Sequence, residues 1–211
     1  MKNLGIDVSY CQTKVDWKKV KAAGVKFAFV RVGYCRNDGS LHIDKMFKSH
    51  IEGASAVGID VGVYLYSYAN SVSAAKRAAK EVLKAVKPYE LTYPIAFDIE
   101  YEDIYTKKGN KSSNTDISLA FLEEVEKGGY YAMLYCSKDF LENYLFAERL
   151  TAFDKWIAQY SKKCTSRHKY GIWQYSGCGK ISGISVPVDL NYSYKNYPAI
   201  IRNAKLNRLE V

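Results

Sequence analysis

The sequence predicts an irregular α/β barrel of the TIM-like kind, closed by strands that lack helices. Three observations predict it. Apolar runs alternate with amphipathic stretches five times before residue 146. The last three apolar runs, between residues 154 and 192, have no helical stretch between them. Acids and aromatics gather at the C-terminal ends of the runs, where barrels of this type carry their sites.

The elements follow in order. "LGIDVS" (4–9) reads as a strand and "DWKKVKAAG" (16–24) as a short helix closed by Gly24. "KFAFVRVGY" (26–34) is a strand, and "DKMFKSHIEGASAVG" (44–58) a helix ending at Gly58. "DVGVYLYSYA" (60–69) is a strand, and "SAAKRAAKEVLKAV" (73–86) a helix stopped by Pro88. "YPIAFDIE" (93–100) is a strand, and "NTDISLAFLEEVEKGG" (114–129) a helix capped by Asn114 or Thr115 and ended by Gly128 and Gly129. "YYAMLYCS" (130–137) is a strand with a short helix near 138–145. Strands at "DKWIAQY", "YGIWQYS" and "VPVDLNY" complete the set. Repeated βα units imply a parallel sheet, and three helix-free strands imply an irregular, partly antiparallel closure.

A chain of 211 residues is enough for one domain with a single core. We place that domain at residues 1–200 and read "IRNAKLNRLEV" (201–211) as a polar tail or truncated linker. Runs such as "FAFV" and "VGVYLY" fall far short of the roughly 20 apolar residues of a spanning helix, so no membrane insertion is expected. The start, "MKNLGIDVSY", has no apolar signal core. The net charge of +9 suits an anionic partner, or simply a solvated surface; the lysines are scattered and form no basic run.

Five cysteines (Cys11, Cys35, Cys136, Cys164 and Cys178) without short paired spacings argue against a disulfide framework and a zinc site. Free thiols are expected, with Cys35 and Cys136 either small buried hydrophobes or close to a site. His42, His50 and His168 lie among charged residues and are expected at the surface.

Within "YPIAFDIE", Asp98 and Glu100 are two residues apart and so share one face of a strand. Like charges side by side on an apolar strand are costly unless a site uses them. Asp7 in "GIDVS" and Asp189 in "VPVDLN" sit at other strand ends, so four acids would ring one mouth of the barrel. Tyr34, Tyr64, Tyr66, Tyr135, Trp173 and Tyr175 join them. Acids beside aromatic faces suit a sugar, whose hydroxyls need acceptors and whose ring faces stack. No calcium-loop or His–carboxylate motif accompanies the acids, so neither a metal nor another cofactor is expected.

With these residues in place, the chain resembles the family 25 glycoside hydrolases, lysozymes of the Chalaropsis type. "GIDVSYCQ", "VDWKKVKAAGVKFAFVRVGY", "VGVYLYSYA", "PIAFDIE", "WIAQY", "GIWQYS" and "VDLN" carry the resemblance, in order and over almost the whole chain. Cys11 departs from the aromatic or histidine common there. The resemblance implies a flattened β/α barrel that cleaves the β-1,4 bond between N-acetylmuramic acid and N-acetylglucosamine in bacterial peptidoglycan. It maps the catalytic acid to Glu100, its partner to Asp98, and the other active-site acids to Asp7 and Asp189. Members of that family are phage endolysins or bacterial muramidases. The missing signal core favours an endolysin, made in the cytoplasm and released to the wall; a mature or truncated form of a secreted enzyme is the alternative. The charge suits anionic wall polymers as further partners, and the polar tail would suit a linker to a wall-binding domain beyond Val211.

The neighbouring charge is expected to raise the pKa of one member of the pair, and we assign the retained proton to Glu100. An i, i+2 pair is poorly placed to flank a bond. The substrate's own 2-acetamido oxygen then becomes the nucleophile, with Asp98 orienting the acetamide N–H; inversion by water activated at Asp98 or Asp7 is the alternative mechanism. Two other functions compete. A catalytically inactive peptidoglycan-binding barrel need not keep every acid, and a nucleic-acid binder would set acids where phosphates must sit.

Overall fold

The computed structural model describes residues 2–100 and 110–209. Nine strands form one sheet: β1 (Asn3–Val8), β2 (Phe27–Cys35), β3 (Leu41–Ile43), β4 (Asp60–Ser67), β5 (Ile95–Asp98), β6 (Ala132–Ser137), β7 (Asp154–Ala158), β8 (Ile172–Gly179) and β9 (Val188–Ser193). The order is β1-β9-β8-β7-β6-β5-β4-β2-β3, and pairing of β1 with β2 closes eight of the strands into a barrel, leaving β3 as an appendage on β2. Pairing is parallel from β1 through β2, β4, β5, β6 and β7 to β8. It turns antiparallel where β9 joins β8 and β1, the irregular closure expected from the helix-free end.

Helices α1 (Trp17–Ala22), α2 (Phe47–Ala56), α3 (Val72–Val86), α4 (Lys111–Lys127) and α5 (Lys138–Asn143) cross outside the barrel, and α6 (Tyr197–Asn203) follows the last strand. Their starts are set by side chains that accept free N–H groups of the first turn: Asp16 for α1, Ser71 for α3, Ser137 for α5 and Asn196 for α6. Helix α4 begins earlier than expected. Asn110 caps it by accepting from the Ser113 N–H at 2.8 Å, and Asn114 and Thr115 lie buried inside it. Helix α2 begins later, because Asp44 accepts from Met46 N and holds the preceding residues in a turn.

Strand parity divides the core in two. Ile6, Val30, Val63, Phe97, Leu134 and Ile157 face outward and pack under the helices. Phe27, Phe29, Tyr93, Met133, Trp156 and Ile172 face inward and fill the barrel. Phe27 stacks on Tyr93 at 4.5 Å and Phe29 on Trp156 at 4.4 Å. Gly5 makes room for this filling, since a Cβ there would lie 2.2 Å from the Phe27 ring.

The stretch expected as a polar tail from residue 201 is mostly exposed but is pinned by the buried side chains of Ile201, Asn207 and Leu209; residues 210 and 211 lie outside the described residues. The boundary drawn at residue 200 falls inside α6. Tyr197, Ile201 and Leu209 join the barrel-interior cluster. Asn207 is buried; it donates to the carbonyls of Leu91 (2.8 Å) and Tyr93 (3.1 Å) and accepts from Tyr131 N at 2.7 Å. The polar composition concealed this because one asparagine does most of the anchoring.

One further expectation changes, and that for the cysteines holds. His50 is buried, not exposed: its Nε2 lies 3.1 Å from the Ser9 carbonyl and its ring meets Trp17 edge-on. All five cysteines are free, and Cys35 and Cys136 belong to the outer core rather than to a site. No helix among the described residues is long and apolar enough to cross a membrane.

Candidate active site

At the C-terminal mouth of the barrel, Asp7, Asp98, Glu100 and Asp189 line one cavity of about 210 Å³ with Arg31, Tyr64, Tyr66, Tyr135, Trp156, Tyr160 and Gln174. Register explains the gathering. Tyr34, Tyr66, Asp98 and Tyr135 are successive partners across β2, β4, β5 and β6 and form one row around the mouth. Asp7 and Asp189 face each other directly across the antiparallel β1–β9 pair. All four sequence-predicted acids therefore meet, as do Tyr64, Tyr66 and Tyr135.

Tyr34 lies next door. A β-bulge between Arg31 and Gly33 shifts the register by one, so Tyr34 aligns with Tyr66 although Arg31 also points inward. Tyr34 lines a second, adjoining cavity of about 610 Å³ with Tyr10, His42, Tyr66 and Tyr68, and Arg31 borders both cavities.

Trp173 and Tyr175 do not line this cavity. On β8 it is Gln174 that points inward, and its two neighbours must point out. Trp173 donates its indole N–H to the Gln159 carbonyl at 2.8 Å, and Tyr175 stacks on Tyr192 at 4.4 Å on the outer face. The sequence reading chose the aromatics of "GIWQYS" where the amide between them carries the contact.

A directed hydrogen-bond chain holds Asp7. Tyr135 (2.8 Å) and Tyr160 (3.1 Å) donate to Gln174 Oε1, whose Nε2 donates to Asp7 Oδ2 at 3.0 Å. Trp156 donates to Asn191 Oδ1 at 2.7 Å, and Asn191 Nδ2 donates to the same Asp7 oxygen at 2.7 Å. The sequence reading did not name Arg31, Trp156, Tyr160 and Gln174, which line the cavity, or Asn191, which holds Asp7. Trp156 and Gln174 take their inward direction from the register of β7 and β8 with their neighbours, which the sequence does not display.

Burial sets the electrostatics. It pushes the Asp7 carboxyl well above the ordinary carboxylate range, and Asp189 adds to the rise, while the amides of Asn191 and Gln174 oppose it. Burial also raises Asp189. Asp98 is only 4% exposed, and burial, then Glu100, then Asp7 raise its pKa, with Arg31 opposing. A hydrogen bond joins Asp98 to Glu100, so the two carboxyls share a proton. Burial favours the neutral form of Asp98 in the free site, whereas the sequence argument put the retained proton on Glu100. Among the described residues, Asp98 Oδ1 is buried with no hydrogen-bond partner. An acceptor in that state is costly unless a ligand supplies a donor. Among the described residues, no His, Cys, Asp and Glu side chains form a group suited to a metal.

An autolytic lysozyme of Clostridium acetobutylicum is 26% identical over 189 residues, which is 89% of this chain and 54% of that protein. The modular autolysin LytC of Streptococcus pneumoniae superposes with a TM-score of 0.80 at 27% identity, over 92% of this chain and 47% of the other. This chain therefore spans about half the length of these two relatives. The catalytic domain of the endolysin ply40, from bacteriophage P40 of Listeria monocytogenes, shares the fold with a TM-score of 0.77 at 23% identity, over 95% of this chain and 97% of that one. The sequence profile of glycosyl hydrolases family 25 matches residues 6–184, and the chain belongs to that family.

Proposed function

We propose that this chain is a lysozyme: it hydrolyses the β-1,4 bond between N-acetylmuramic acid and N-acetylglucosamine in bacterial peptidoglycan. Family membership and the lysozyme and autolysin relatives support the reaction class. The observation that carries the mechanism is Asp98 Oδ1, a buried acceptor without a donor beside Glu100. A 2-acetamido sugar brings the missing donor, its amide N–H.

The steps follow from that contact. A hydrogen bond donated to Asp98 favours its ionised form, so the shared proton passes to Glu100. Glu100 then protonates the leaving oxygen as general acid. The acetamide oxygen, aligned by Asp98, attacks the anomeric carbon, and the carboxylate of Asp98 offsets the charge of the oxazolinium ion that forms. Glu100, now ionised, takes a proton from the water that opens the ring. Asp7 and Asp189 accept sugar hydroxyls at the opposite wall. The glycan continues over Tyr66 into the neighbouring cavity, where Tyr10, Tyr34 and Tyr68 offer aromatic faces. The charge of +9 draws the protein to anionic wall polymers.

Loss of turbidity by purified cell walls, with new reducing ends released, tests the activity. The native chain is expected to clear them and Glu100→Gln to leave them intact. Binding of walls without any new reducing ends would instead favour the inactive binding barrel.

A further inference from the structure

The acid cavity also holds a cation. Among the described residues, Arg31 is the one positively charged side chain that lines it. Nothing in the proposed reaction uses Arg31, yet the fold invests a second buried charge in holding it. Arg31 Nε donates to Asp44 Oδ2 at 2.8 Å, and Nη2 reaches the same oxygen at 2.7 Å. That oxygen also accepts from Tyr10 N at 3.0 Å, and Asp44 Oδ1 accepts from Met46 N at 2.8 Å. The Asp44 side chain is 1% exposed and that of Arg31 is 18% exposed. The Tyr10 ring covers the guanidinium, 4.7 Å from its centre. With both oxygens engaged, Asp44 is a fixed anchor rather than a reactive acid.

We infer that Arg31, gripped by Asp44, is a positioning residue that keeps one negative charge available to the Asp98–Glu100 pair. Asp98 is faced by Asp7 and Asp189 from β1 and β9, by Tyr64 and Tyr66 from β4, and by Glu100 just past its own strand. Tyr135 faces it from β6 and Tyr160 from the segment after β7. All of these are acids or neutral phenols, and every one that ionises works against charge on Asp98. Among the described residues that line the cavity, Arg31 is the one that favours it, in a partly dry setting where charges are weakly screened. Without Asp44 the long side chain has no reason to stay over the acids; it would extend into the adjoining cavity, which it also borders. The excursion through β3, which places Asp44 against β2, thus acquires a purpose.

The effect on hydrolysis rests on the proposed catalytic reading, whereas the effect on ionisation does not. The test is a titration of side-chain carboxyls by ¹³C NMR in the free protein, with Asp98 assigned from Asp98→Asn. In Arg31→Gln, the Asp98 titration is expected to move up by about one pH unit. Arg31→Lys, which keeps the charge and loses the two-nitrogen grip, is expected to move it up by less. In Asp44→Asn, the Arg31 Nε–H signal should exchange with water faster than in the native protein. The acid-side limb of kcat/KM on peptidoglycan should follow the Asp98 titration upward, because Asp98 must be ionised to work. An Asp98 titration that stays in place in whichever Arg31 variant folds overturns the inference. Failure of the native protein to cleave walls would remove the catalytic reading and leave the titration result standing.

Discussion

In the proposed mechanism Glu100 and Asp98 are neighbours with opposite tasks, and single substitutions separate them. Gln at position 100 keeps shape and hydrogen bonding but delivers no proton, so Glu100→Gln is expected to lower hydrolysis by about 10²–10⁴-fold without unfolding the protein. A steady-state assay beside a thermal melt checks both halves. Asp98→Asn should also inactivate, but it should stabilise the fold. Burial raises the Asp98 pKa, so near neutral pH the folded chain holds a proton or bears a penalised charge that the unfolded chain avoids. Removing that penalty is expected to add about 0.5–2 kcal/mol at pH 7. Below about pH 4 the native carboxyl is protonated in both states and the gain should vanish. Melts of the two proteins at both pH values test this.

At the scale of the element, β8 offers the sharpest contrast. Gln174 faces in and links Tyr135 and Tyr160 to Asp7; Tyr175 faces out onto Tyr192. Loss of a buried hydrogen bond to a charged group costs about 1.5–3 kcal/mol, so Gln174→Ala is expected to lower kcat/KM by about tenfold or more. Tyr175→Ala should leave kcat/KM within about twofold. The reverse ranking would mean that β8 has the opposite parity. The same strand shows what was legible in the sequence. The five βα units, the helix-free closure and the four acids follow from periodicity and from carboxylates at strand ends. Trp173 and Tyr175 were chosen because aromatics suit sugars, but residue type cannot supply parity on a strand whose neighbours switch from parallel to antiparallel. Strand β3 was missed because "LHI" is three residues long, and Tyr34 reaches the adjoining cavity only through a bulge that periodicity does not reveal.

At the scale of the whole molecule, the described residues leave a cavity at the acid end of the barrel, and the C-terminal segment packs across the other end. Asn207 satisfies three backbone groups there, two carbonyls and one N–H. Asn207→Ala strands all three, and at about 1 kcal/mol or more each it is expected to cost about 3 kcal/mol of stability, read from denaturant unfolding. The acid end pulls stability the other way with pH. Asp7, Asp98 and Asp189 all have raised pKa values in the folded state, first because of burial. The folded chain therefore binds more protons than the unfolded one above the ordinary carboxylate range, and stability should fall as pH rises from about 4 through the folded values. That penalty is retained because the site is proposed to need a carboxylate deep enough to work through the substrate's own amide. The anomeric configuration of the first product tests this most directly. Proton NMR of the new reducing end, recorded before mutarotation, should show the β-anomer, since attack by the acetamide and then by water restores the original configuration. An α-anomer as the first product would mean a single displacement by water, and the role assigned to Asp98 would be wrong.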